Sequence, residues 1–582
     1  MTETFENLGE LGSLDIIPLG GVEEIGLNCT ALIYGQDILV IDAGLMFPEL
    51  KFPGVDLVIP DFSFLKQNAG RVVGLILTHG HEDHVGALAH FLKDVPTTVY
   101  ATKLTLAMSL DRLDEYEVKI PPTVEIYPRE VIKLGDHFEV EFIGVNHSVL
   151  SGVALAIKTP LGVVIHTGDF KIDPSAPPLE RTDLYTFARY GENGVLALLS
   201  DSTNADVPGH SASELEVRST LTDLFQKAQG RVILACFASS LARIRQVAAA
   251  AAESNRKLLF DGRSMINSVG LGLSLGFLDL KAQDMVDLDQ AKNLGDHELV
   301  VVATGSQGEP LSALARMANG EHKYIQAHEG DTIIFSARVI PGNERAILSL
   351  TNLFHGVGAA VIDSRSHQVH ASGHGQIEEL KLMMGLTNPK YLIPIHGEPQ
   401  HILKHAALAT EMGFSEKRVK ILKNGQRLSF YANHECQLGD PVHTGRMVVD
   451  GNRLGQADDP VIRSRLSLAE MGLVYVTLIL NQSDLTLAAP PAINTHALHY
   501  EDEPDLRSSA MDLVFYLLEE WREGQTNLED PDLTGLVAGV KRNVRHLFKE
   551  AIKRKPLVYT NVIFVNPDFR EQRPNGPKPK LI

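Results

Sequence analysis

The chain has 582 residues, of which 44% are hydrophobic and 22% are charged, and its formal net charge is −20 at pH 7. This length exceeds what one hydrophobic core supports and predicts about three domains, while the composition excludes a disordered or fibrous chain. The acidic balance argues against a protein that coats nucleic acid through bulk charge, although bound dications or a local basic groove could still attract it to one cleft.

Cysteine usage and the N-terminal sequence indicate the compartment. Cys29, Cys236 and Cys436 lie far apart and form no CxxC pair, which argues against a disulfide framework and against a zinc–thiolate site. The N-terminal residues lack a basic and apolar signal pattern, and no apolar run is long enough to cross a bilayer. We therefore expect a cytoplasmic protein that has no membrane partner.

The first predicted elements are strands, at Leu14–Gly21 and along Thr30–Ala43, with turns at Gly20-Gly21 and at Gly35–Asp37. The second run ends in Asp42, at the tip of an apolar strand. A carboxylate there is either a turn or capping residue, or the partner that orients a metal-bound histidine.

A cluster of potential metal ligands follows the next predicted strand, Val72–Leu77. His79 and His81 are two residues apart, so in extended backbone both imidazoles point to one side, and Asp83 and His84 follow where the chain turns. One histidine at a strand end is usually structural, but four clustered ligand types favour metal binding. The loop is therefore predicted to hold two adjacent divalent cations before a helix begins near Val85.

The segment Thr78–His84, with the sequence Thr-His-Gly-His-Glu-Asp-His, resembles the signature of the metallo-β-lactamase superfamily. Its surroundings resemble the ribonuclease J branch of that superfamily. The signature alone implies only the superfamily, which includes unrelated hydrolases, so the function has to be inferred from the other motifs.

Short strand patterns at Thr97–Tyr100, Thr123–Ile126 and Phe138–Gly144 alternate with helical stretches, as in an α/β layer fold. His147 follows the third of these strands. A third imidazole beside the two of the loop would complete a three-histidine zinc site that keeps one open position.

Two further strands end in aspartates. The strand Leu161–His166 leads to Asp169, for which the resemblance implies a bridge between two metal ions, and a plain turn residue is the alternative. The strand Val195–Leu199 leads to Asp201, which matches the first motif of the β-CASP subgroup of nucleic-acid enzymes.

A separate α/β pattern then begins: helix Glu214–Lys227, strand Arg231–Cys236, helix Leu241–Glu253 and strand Lys257–Asp261. This alternation predicts an inserted domain with a parallel sheet. Two later Gly-rich segments lack the Gly-Lys-Ser/Thr of a phosphate-binding loop, so ATP is not implied.

The loop before the second of those helices carries Ser239 and Ser240, and the helix carries Arg243 and Arg245. Hydroxyl groups, backbone N–H groups and a helix N-terminus would converge there, which suits an anion such as an RNA phosphate. The alternative, of about equal weight, is that one serine only caps the helix.

The last motifs follow the insertion. The segment 370–374, His-Ala-Ser-Gly-His, precedes a helix at Ile377–Met384, and the strand Tyr391–Ile395 ends in His396. The resemblance implies that His374 lies near the scissile phosphate and that His396 binds the second metal. A histidine at this last position is typical of the RNA-acting members of the β-CASP group, in contrast to the DNA-acting members.

The C-terminal part is predicted to hold the strand Leu473–Leu480, a helix at Ser508–Trp521, a basic helix at Val540–Lys555 and the strand Leu557–Val565. The resemblance implies a small domain that serves mainly in assembly. The basic helix could contact RNA, but such a charge run is more often a solvated face. The Pro-, Lys- and Gly-rich tail Arg573–Ile582 is predicted to be disordered.

The predicted fold class is therefore α/β: a metallo-β-lactamase αββα sandwich with an inserted α/β β-CASP domain and a small α+β C-terminal domain. The predicted boundaries are 1–211 and 366–447 for the sandwich, 212–365 for the insertion, 448–464 for a polar linker and 465–582 for the C-terminal domain.

The function that these motifs imply is metal-dependent hydrolysis of RNA phosphodiesters, both 5′-to-3′ exonucleolytic with a preference for a 5′-monophosphate and endonucleolytic. The expected cofactors are two divalent ions, zinc or alternatively manganese, and the expected partners are RNA and further copies of the chain, in a dimer or tetramer formed through the C-terminal domain. A hydrolase of thioesters or lactams, a DNA-acting β-CASP nuclease and an inactive scaffold are the alternatives.

The candidate site residues form four groups. The metal ligands are His79, His81, Asp83, His84, His147, Asp169 and His396. Asp42 is the candidate partner of a metal-bound histidine. The catalytic candidates are His374, Asp83 and Asp201. The candidates for binding RNA or its phosphate are Ser239, Ser240, His370, Ser372, Gly373 and His374.

Overall fold

The structure is a computed structural model, and it describes residues 12–48, 52–340, 342–451, 453–456, 459–498, 504–525 and 531–565. The tail at Arg573–Ile582, for which disorder is predicted, lies outside the described residues. The chain divides into two units, residues 1–47 with 56–449 and residues 48–55 with 450–582.

The first unit opens with the strands and helices of one sheet layer. The strands are β1 (Ser13–Gly20), β2 (Cys29–Tyr34), β3 (Asp37–Ile41), β4 (Leu57–Pro60), β5 (Val72–Ile76), β6 (Val99–Ala101) and β7 (Thr123–Glu125). The helices are α1 (Ser63–Gln67), α2 (Glu82–Val85), α3 (Leu88–Asp94) and α4 (Lys103–Leu110). Helix α2 begins at Glu82, earlier than the sequence predicts, so Asp83 and His84 lie within its single turn.

The second sheet layer follows directly. It comprises β8 (Val131–Leu134), β9 (Phe138–Val145), β10 (Gly152–Thr159), β11 (Gly162–His166), the helix α5 (Leu184–Asn193) and β12 (Val195–Asp201). After the insertion the chain returns with α12 (Ile377–Thr387), β18 (Tyr391–Ile395), α13 (Pro399–Glu411), β19 (Leu428–Tyr431), β20 (Cys436–Leu438) and β21 (Arg446–Asp450).

Apart from β4 and β21, which pair with each other in a separate small sheet, these strands form two sheets that pack face to face. The eight-stranded sheet has the order β20-β19-β1-β2-β3-β5-β6-β7, and the six-stranded sheet has the order β18-β12-β11-β10-β9-β8. Leu14 and Ile16 of β1 enter the core between the sheets, while Ile17 and Leu19 face the helices on the outer side. This alternation follows from the two-residue period of a strand, and it gives the αββα layering.

The insertion contains a five-stranded, fully parallel sheet in the order β14-β15-β13-β16-β17. Its elements are α6 (Glu214–Lys227), β13 (Val232–Ala235), α7 (Leu241–Glu253), β14 (Lys257–Asp261), α8 (Arg263–Ser274), α9 (Leu288–Ala291), β15 (Leu299–Ala303), α10 (Ala313–Ala318), β16 (Thr332–Phe335), α11 (Glu344–Gly356) and β17 (Ala360–Ile362). The predicted parallel sheet is therefore present, with helices α6 and α7 at the predicted bounds.

The prediction of a polar linker over 448–464 is wrong. The structure has β21 at Arg446–Asp450, β22 (Arg453–Gln456) and a helix, α14 (Pro460–Met471), in that stretch. Strand β21 pairs antiparallel with β4, and Val448 and Val449 are buried there. The partner strand lies almost four hundred residues away in the sequence, outside the reach of a local pattern.

The second unit contains the small C-terminal domain. Its strands are β23 (Leu473–Asn481), β24 (Leu487–His496) and β25 (Leu557–Val565), and its helices are α15 (Pro504–Glu523) and α16 (Leu533–Ile552). The strand order is β24-β23-β25, with β23 and β24 antiparallel and β23 and β25 parallel. Alternate residues of β23, from Val474 to Leu480, pack with apolar residues of α15 and α16 into one core.

Among the described residues, no helix combines the length and the apolar character that crossing a bilayer requires.

Candidate metal centre

The predicted metal ligands come from the ends of strands in both sheets. The loop after β5 leads into α2 and carries four of them, the turns after β9 and β11 carry His147 and Asp169, and His396 directly follows β18. Because these strand ends lie at one edge of the sandwich, ligands more than three hundred residues apart in sequence come together. The structure brings all seven into one cluster.

Three imidazoles and one carboxylate form the first donor group. Nε2 of His79 lies 3.1 Å from Nδ1 of His81, which lies 3.0 Å from Nε2 of His147. Oδ2 of Asp169 is 3.5 Å from His79 and 3.7 Å from His147. A tetrahedral ion with bonds of about 2.0 Å requires donor atoms roughly 3.3 Å apart. The group therefore matches the size of one tetrahedral divalent cation.

A second donor group shares the same carboxylate oxygen. Oδ2 of Asp169 lies 3.3 Å from Nε2 of His84 and 3.4 Å from Nε2 of His396. Oδ2 of Asp83 lies 3.6 Å from His84 and 3.7 Å from His396. Asp169 thus stands between two sets of donors, as a bridging carboxylate does, and a plain turn residue would not need to face five imidazoles.

Two atoms of the cluster lack any hydrogen bond. Oδ2 of Asp169 and Nε2 of His396 are buried, and neither has a hydrogen-bond partner among the described residues. Burial would raise the pKa of Asp169, but the surrounding imidazoles, His396 foremost, hold that pKa well below its usual range. A buried carboxylate and an unpaired ring nitrogen are costly unless a cation lies between them. The donor set therefore fits divalent metal ions.

Asp42 fixes the orientation of His84. Nδ1 of His84 donates to Oδ2 of Asp42 at 2.7 Å, and the backbone N–H and hydroxyl of Thr78 donate to the two carboxylate oxygens at 2.7 and 2.9 Å. The hydrogen bond at Nδ1 leaves Nε2 of His84 free to bind a cation. Of the two interpretations of Asp42, the geometry favours the partner of a ligating histidine over the capping residue.

His147 is oriented by a backbone carbonyl group that follows the insertion in sequence. Its Nδ1 donates to the carbonyl oxygen of Gly373 at 2.6 Å. A Cβ added to Gly373 would lie 2.5 Å from the ring of His147, so only glycine fits there. The sequence predicts the backbone at Gly373 as part of a phosphate site, whereas its carbonyl group positions a donor of the first group.

His374 lies beside the cluster but makes its own ion pair. Its Nδ1 donates to Oδ2 of Asp201 at 2.8 Å and lies 3.9 Å from Oδ2 of Asp169. Burial would lower the pKa of His374, but the carboxylate of Asp201, assisted by Asp169, raises it to about 9. The Asp201 carboxylate therefore favours the protonated form of His374.

The predicted anion site at the start of α7 is only partly supported. Arg243 is fully buried, donates to both carboxylate oxygens of Glu214 at 2.9 Å and also bonds Ser336 and the Val369 carbonyl, so its guanidinium is not available to a phosphate. Arg245 donates to Glu180 at 2.9 Å. Both arginines therefore have a carboxylate partner that is distant in sequence, although Nε and Nη2 of Arg245 have no hydrogen-bond partner among the described residues.

The capping alternative holds for the position of Ser240 but not for its hydrogen bond. Ser240 occupies the N-cap position of α7, but its side chain makes no capping hydrogen bond, and its hydroxyl donates instead to the Ser148 carbonyl at 3.4 Å. Ser239 is half-buried at the same helix start. Burial, assisted by Arg243, lowers the pKa of His370 to about 3, so this imidazole is neutral.

Sequence reasoning missed two asparagines. The amide nitrogen of Asn28 lies 3.0 Å from Nδ1 of His396 and 3.1 Å from the carbonyl oxygen of Asp83. Asn204 donates to the hydroxyl of Ser372 at 2.8 Å and to the carbonyl of His374 at 3.0 Å. The only indication in the sequence that Asn204 belongs to the site is that it lies three residues after Asp201. Nothing in the sequence indicated a role for Asn28.

Four family models match the chain. They are the metallo-beta-lactamase superfamily over residues 24–214, the ribonuclease J beta-CASP domain over 229–354, the Zn-dependent metallo-hydrolase RNA specificity domain over 361–422 and the ribonuclease J C-terminal domain over 460–565. Together with the observed layers, these matches confirm the predicted fold class.

Curated relatives match over almost the whole chain. The chain is 37% identical to ribonuclease J of Synechocystis sp., over 94% of this chain and 86% of the relative. It is 37% identical to ribonuclease J2 of Bacillus subtilis, over 93% and 97%, and 36% identical to ribonuclease J of Mycobacterium tuberculosis, over 95% and 98%. A crystal structure of an Enterococcus faecalis protein of unknown function aligns with a TM-score of 0.52 at 16% identity, covering 72% of this chain and all of that one, which shows a shared fold.

Gly44 offers a test of how the ligand loop is held. A Cβ at Gly44 would lie 1.6 Å from the carbonyl oxygen of Asp83, which accepts a hydrogen bond from the backbone N–H of Asn28. Gly44→Ala is therefore expected to displace the backbone of Asp83 and weaken metal binding by about tenfold or more, the usual effect of disturbing the support of a ligand. Calorimetric titration of metal-free protein with Zn²⁺ or Mn²⁺ measures the change.

Gly70→Ala is the matched control, since a Cβ at Gly70 meets nothing within 4 Å. It should bind metal as the wild type does. Wild-type affinity in Gly44→Ala would contradict the proposed support of the loop.

Proposed function

The chain belongs to the ribonuclease J family, and on that premise we propose how its residues share the work of a metal-dependent ribonuclease. The observation that carries the proposal is the pair of donor groups that meet at Asp169, with the His374–Asp201 pair beside them. The family and this site together make the protein a metal-dependent hydrolase of RNA.

We assign one ion to His79, His81 and His147 and the other to Asp83, His84 and His396, with Asp169 shared. Imidazole and carboxylate ligands suit zinc and manganese alike, and zinc is the ion proposed here. The chemistry that such a pair of ions supplies is activation of water and neutralisation of phosphate charge. The carboxylate of Asp169 raises the pKa of both His84 and His396. Divalent ions bind neutral imidazoles, so metal binding has to release any protons that these two rings carry.

His374 is the proposed proton donor. Its Nδ1 proton is held by Asp201, which leaves the Nε2 proton directed to a reacting phosphate or its leaving oxygen. The side chain is 19% exposed, so the ring reaches the cleft although its Nδ1 side is enclosed. Asp201 acts through His374, and Asp83, whose side chain is 29% exposed, is the donor carboxylate nearest to solvent and the one best placed to take up a proton from water.

The mode of action is proposed from the family. We propose 5′-to-3′ exonucleolytic cleavage with a preference for a 5′-monophosphate, together with endonucleolytic cleavage. The terminal phosphate would be bound by hydroxyl and backbone N–H groups at Ser239, Ser240, Ser372 and Gly373, with the neutral His370 nearby, because the guanidinium of Arg243 is already paired with Glu214. Assembly into a dimer or tetramer through the C-terminal domain, in the cytoplasm, completes the proposal.

The first prediction concerns His374. His374→Ala should leave the metal content intact and lower kcat on a 5′-monophosphate RNA by roughly 100-fold or more, because a hydrogen-bond donor to the developing negative charge is lost. The assay measures metal content by mass spectrometry and turnover on RNA, on DNA of the same sequence and on a chromogenic lactam. Turnover of RNA alone is the expected pattern for the wild type.

His355→Ala is the control, because His355 is exposed on α11 of the insertion. It should keep wild-type turnover. Normal cleavage by His374→Ala would remove the role assigned to His374, and turnover of the lactam in place of RNA would remove the proposed substrate.

The second prediction concerns the pH dependence. The carboxylate of Asp201 raises the pKa of His374, so the protonated form that can donate is present below that pKa and is lost as the pH rises through it. Asp201→Asn removes the charge and should move the alkaline limb of the kcat profile to lower pH. An alkaline limb that stays at the same pH in Asp201→Asn would show that another group controls it.

A further inference from the structure

Within the described residues, the apolar core of the C-terminal domain lies on one face of its three-stranded sheet. Even-numbered residues of β23 point into the domain core, so Tyr475, Thr477 and Ile479 point to the other side. Tyr475 is 38% exposed, and Tyr559 on β25 is 52% exposed. Large aromatic rings that remain this exposed on a sheet face are available to a ligand.

The two tyrosines lie side by side. Tyr475 pairs with Tyr559 in the parallel register of β23 and β25, and it pairs with Asn494 in the antiparallel register of β23 and β24. Neighbouring strands are about 4.8 Å apart, and directly paired residues present their side chains on the same face. The outer face therefore carries a row of one amide and two aromatic rings across all three strands.

The charge on this face differs from that of the whole protein. The chain has a formal net charge of −20, but β23, β24 and β25, all within the described ranges, contain no Asp, Glu, Lys or Arg. A depression of about 380 Å³ lies at the start of β23 beside the edge strand β24, where Tyr475 and Asn494 of the outer face line it together with Ile493 of the core and Arg507 of α15. Arg507 supplies a cation where a phosphate would meet the edge of the aromatic row.

We propose that this face binds single-stranded RNA, with one base on Tyr475, the next on Tyr559 and the backbone phosphate at Arg507. Exposed aromatic rings on a sheet backed by helices are a common platform for unpaired bases, and an amide beside them can bond base edges. The inference rests on the proposed ribonuclease function for the identity of the ligand. It adds a substrate contact in the second unit, separate from the metal centre.

A second copy of the chain is the competing occupant, and the size of the face argues against it. Nine residues along three strands cover roughly 30 Å by 14 Å, or roughly 400 Å². A stable protein interface needs about 800 Å² on each partner. Two or three stacked nucleotides need much less, so the face suits RNA better than an interface between subunits.

The test uses the full chain with His374→Ala, which is expected to slow cleavage roughly 100-fold or more, and measures binding of a fluorescent 20-nucleotide oligouridylate. Adding Tyr475→Leu and Tyr559→Leu removes the rings but keeps apolar side chains on the sheet. The dissociation constant is expected to rise at least about fivefold for each ring that is lost. A duplex RNA of the same length should bind both proteins alike, because its bases are not free to stack.

Tyr516→Leu is the matched control, since Tyr516 is 64% exposed on helix α15 of the same domain. It should not change the dissociation constant. With His374 intact, the double tyrosine variant should cleave a tetranucleotide at the wild-type rate, because so short a substrate does not need the second site. This result separates the inference from the proposed function. If the wild-type protein did not cleave RNA, only the proposed function would be contradicted. Unchanged oligouridylate binding by the double variant would overturn the inference. A particle mass of the double variant that is half that of the wild type in light scattering would also overturn it, because the face would then serve subunit assembly.

Discussion

One buried negative charge determines how the site is built. Oδ2 of Asp169 lies between 3.3 and 3.9 Å from ring nitrogens of five histidines, and the whole residue is 3% exposed. A carboxylate in this position is stable only when positive charge surrounds it, and neutral imidazoles present lone pairs that need the same compensation. Divalent cations on either side of Asp169 satisfy both requirements, and the positions of the other ligands follow from that need.

The scaffold holds these ligands through contacts that span the chain. The backbone of Asp83 and His84 is bonded to Asn28, just before β2, and to Ala43, just after β3. Asp42 and His396 adopt left-handed backbone conformations with φ of +62° and +51°, which side chains other than glycine adopt only when their surroundings hold them there. Gly373 and His396 both follow the insertion in sequence, yet they contact ligands that precede it. The inserted parallel-sheet domain therefore does not separate the two parts of the ligand cluster.

Those parts of the site and fold that depend on short segments could be predicted from the sequence. The ligand loop, the helices Glu214–Lys227 and Leu241–Glu253 and the strand Tyr391–Ile395 could be predicted because ligand spacing and hydrophobic periodicity are properties of short segments. The partners of side chains could not be predicted in the same way. No local pattern indicated that Glu214 pairs with Arg243, and the strand at Arg446–Asp450 looked like a linker because β4 is remote in sequence. The grouping of the seven candidate ligands came from the family resemblance, and its agreement with the observed distances supports the assignment.

A crystal structure of the protein loaded with Mn²⁺ or Zn²⁺, with anomalous data collected at the absorption edge of the metal, tests the central claim most directly. The account predicts two anomalous peaks, one among His79, His81 and His147 and the other among Asp83, His84 and His396, each about 2.0–2.2 Å from its ligands and both in contact with the carboxylate of Asp169. A single peak, or two peaks of which either lies beyond the reach of Asp169 or His396, would contradict it.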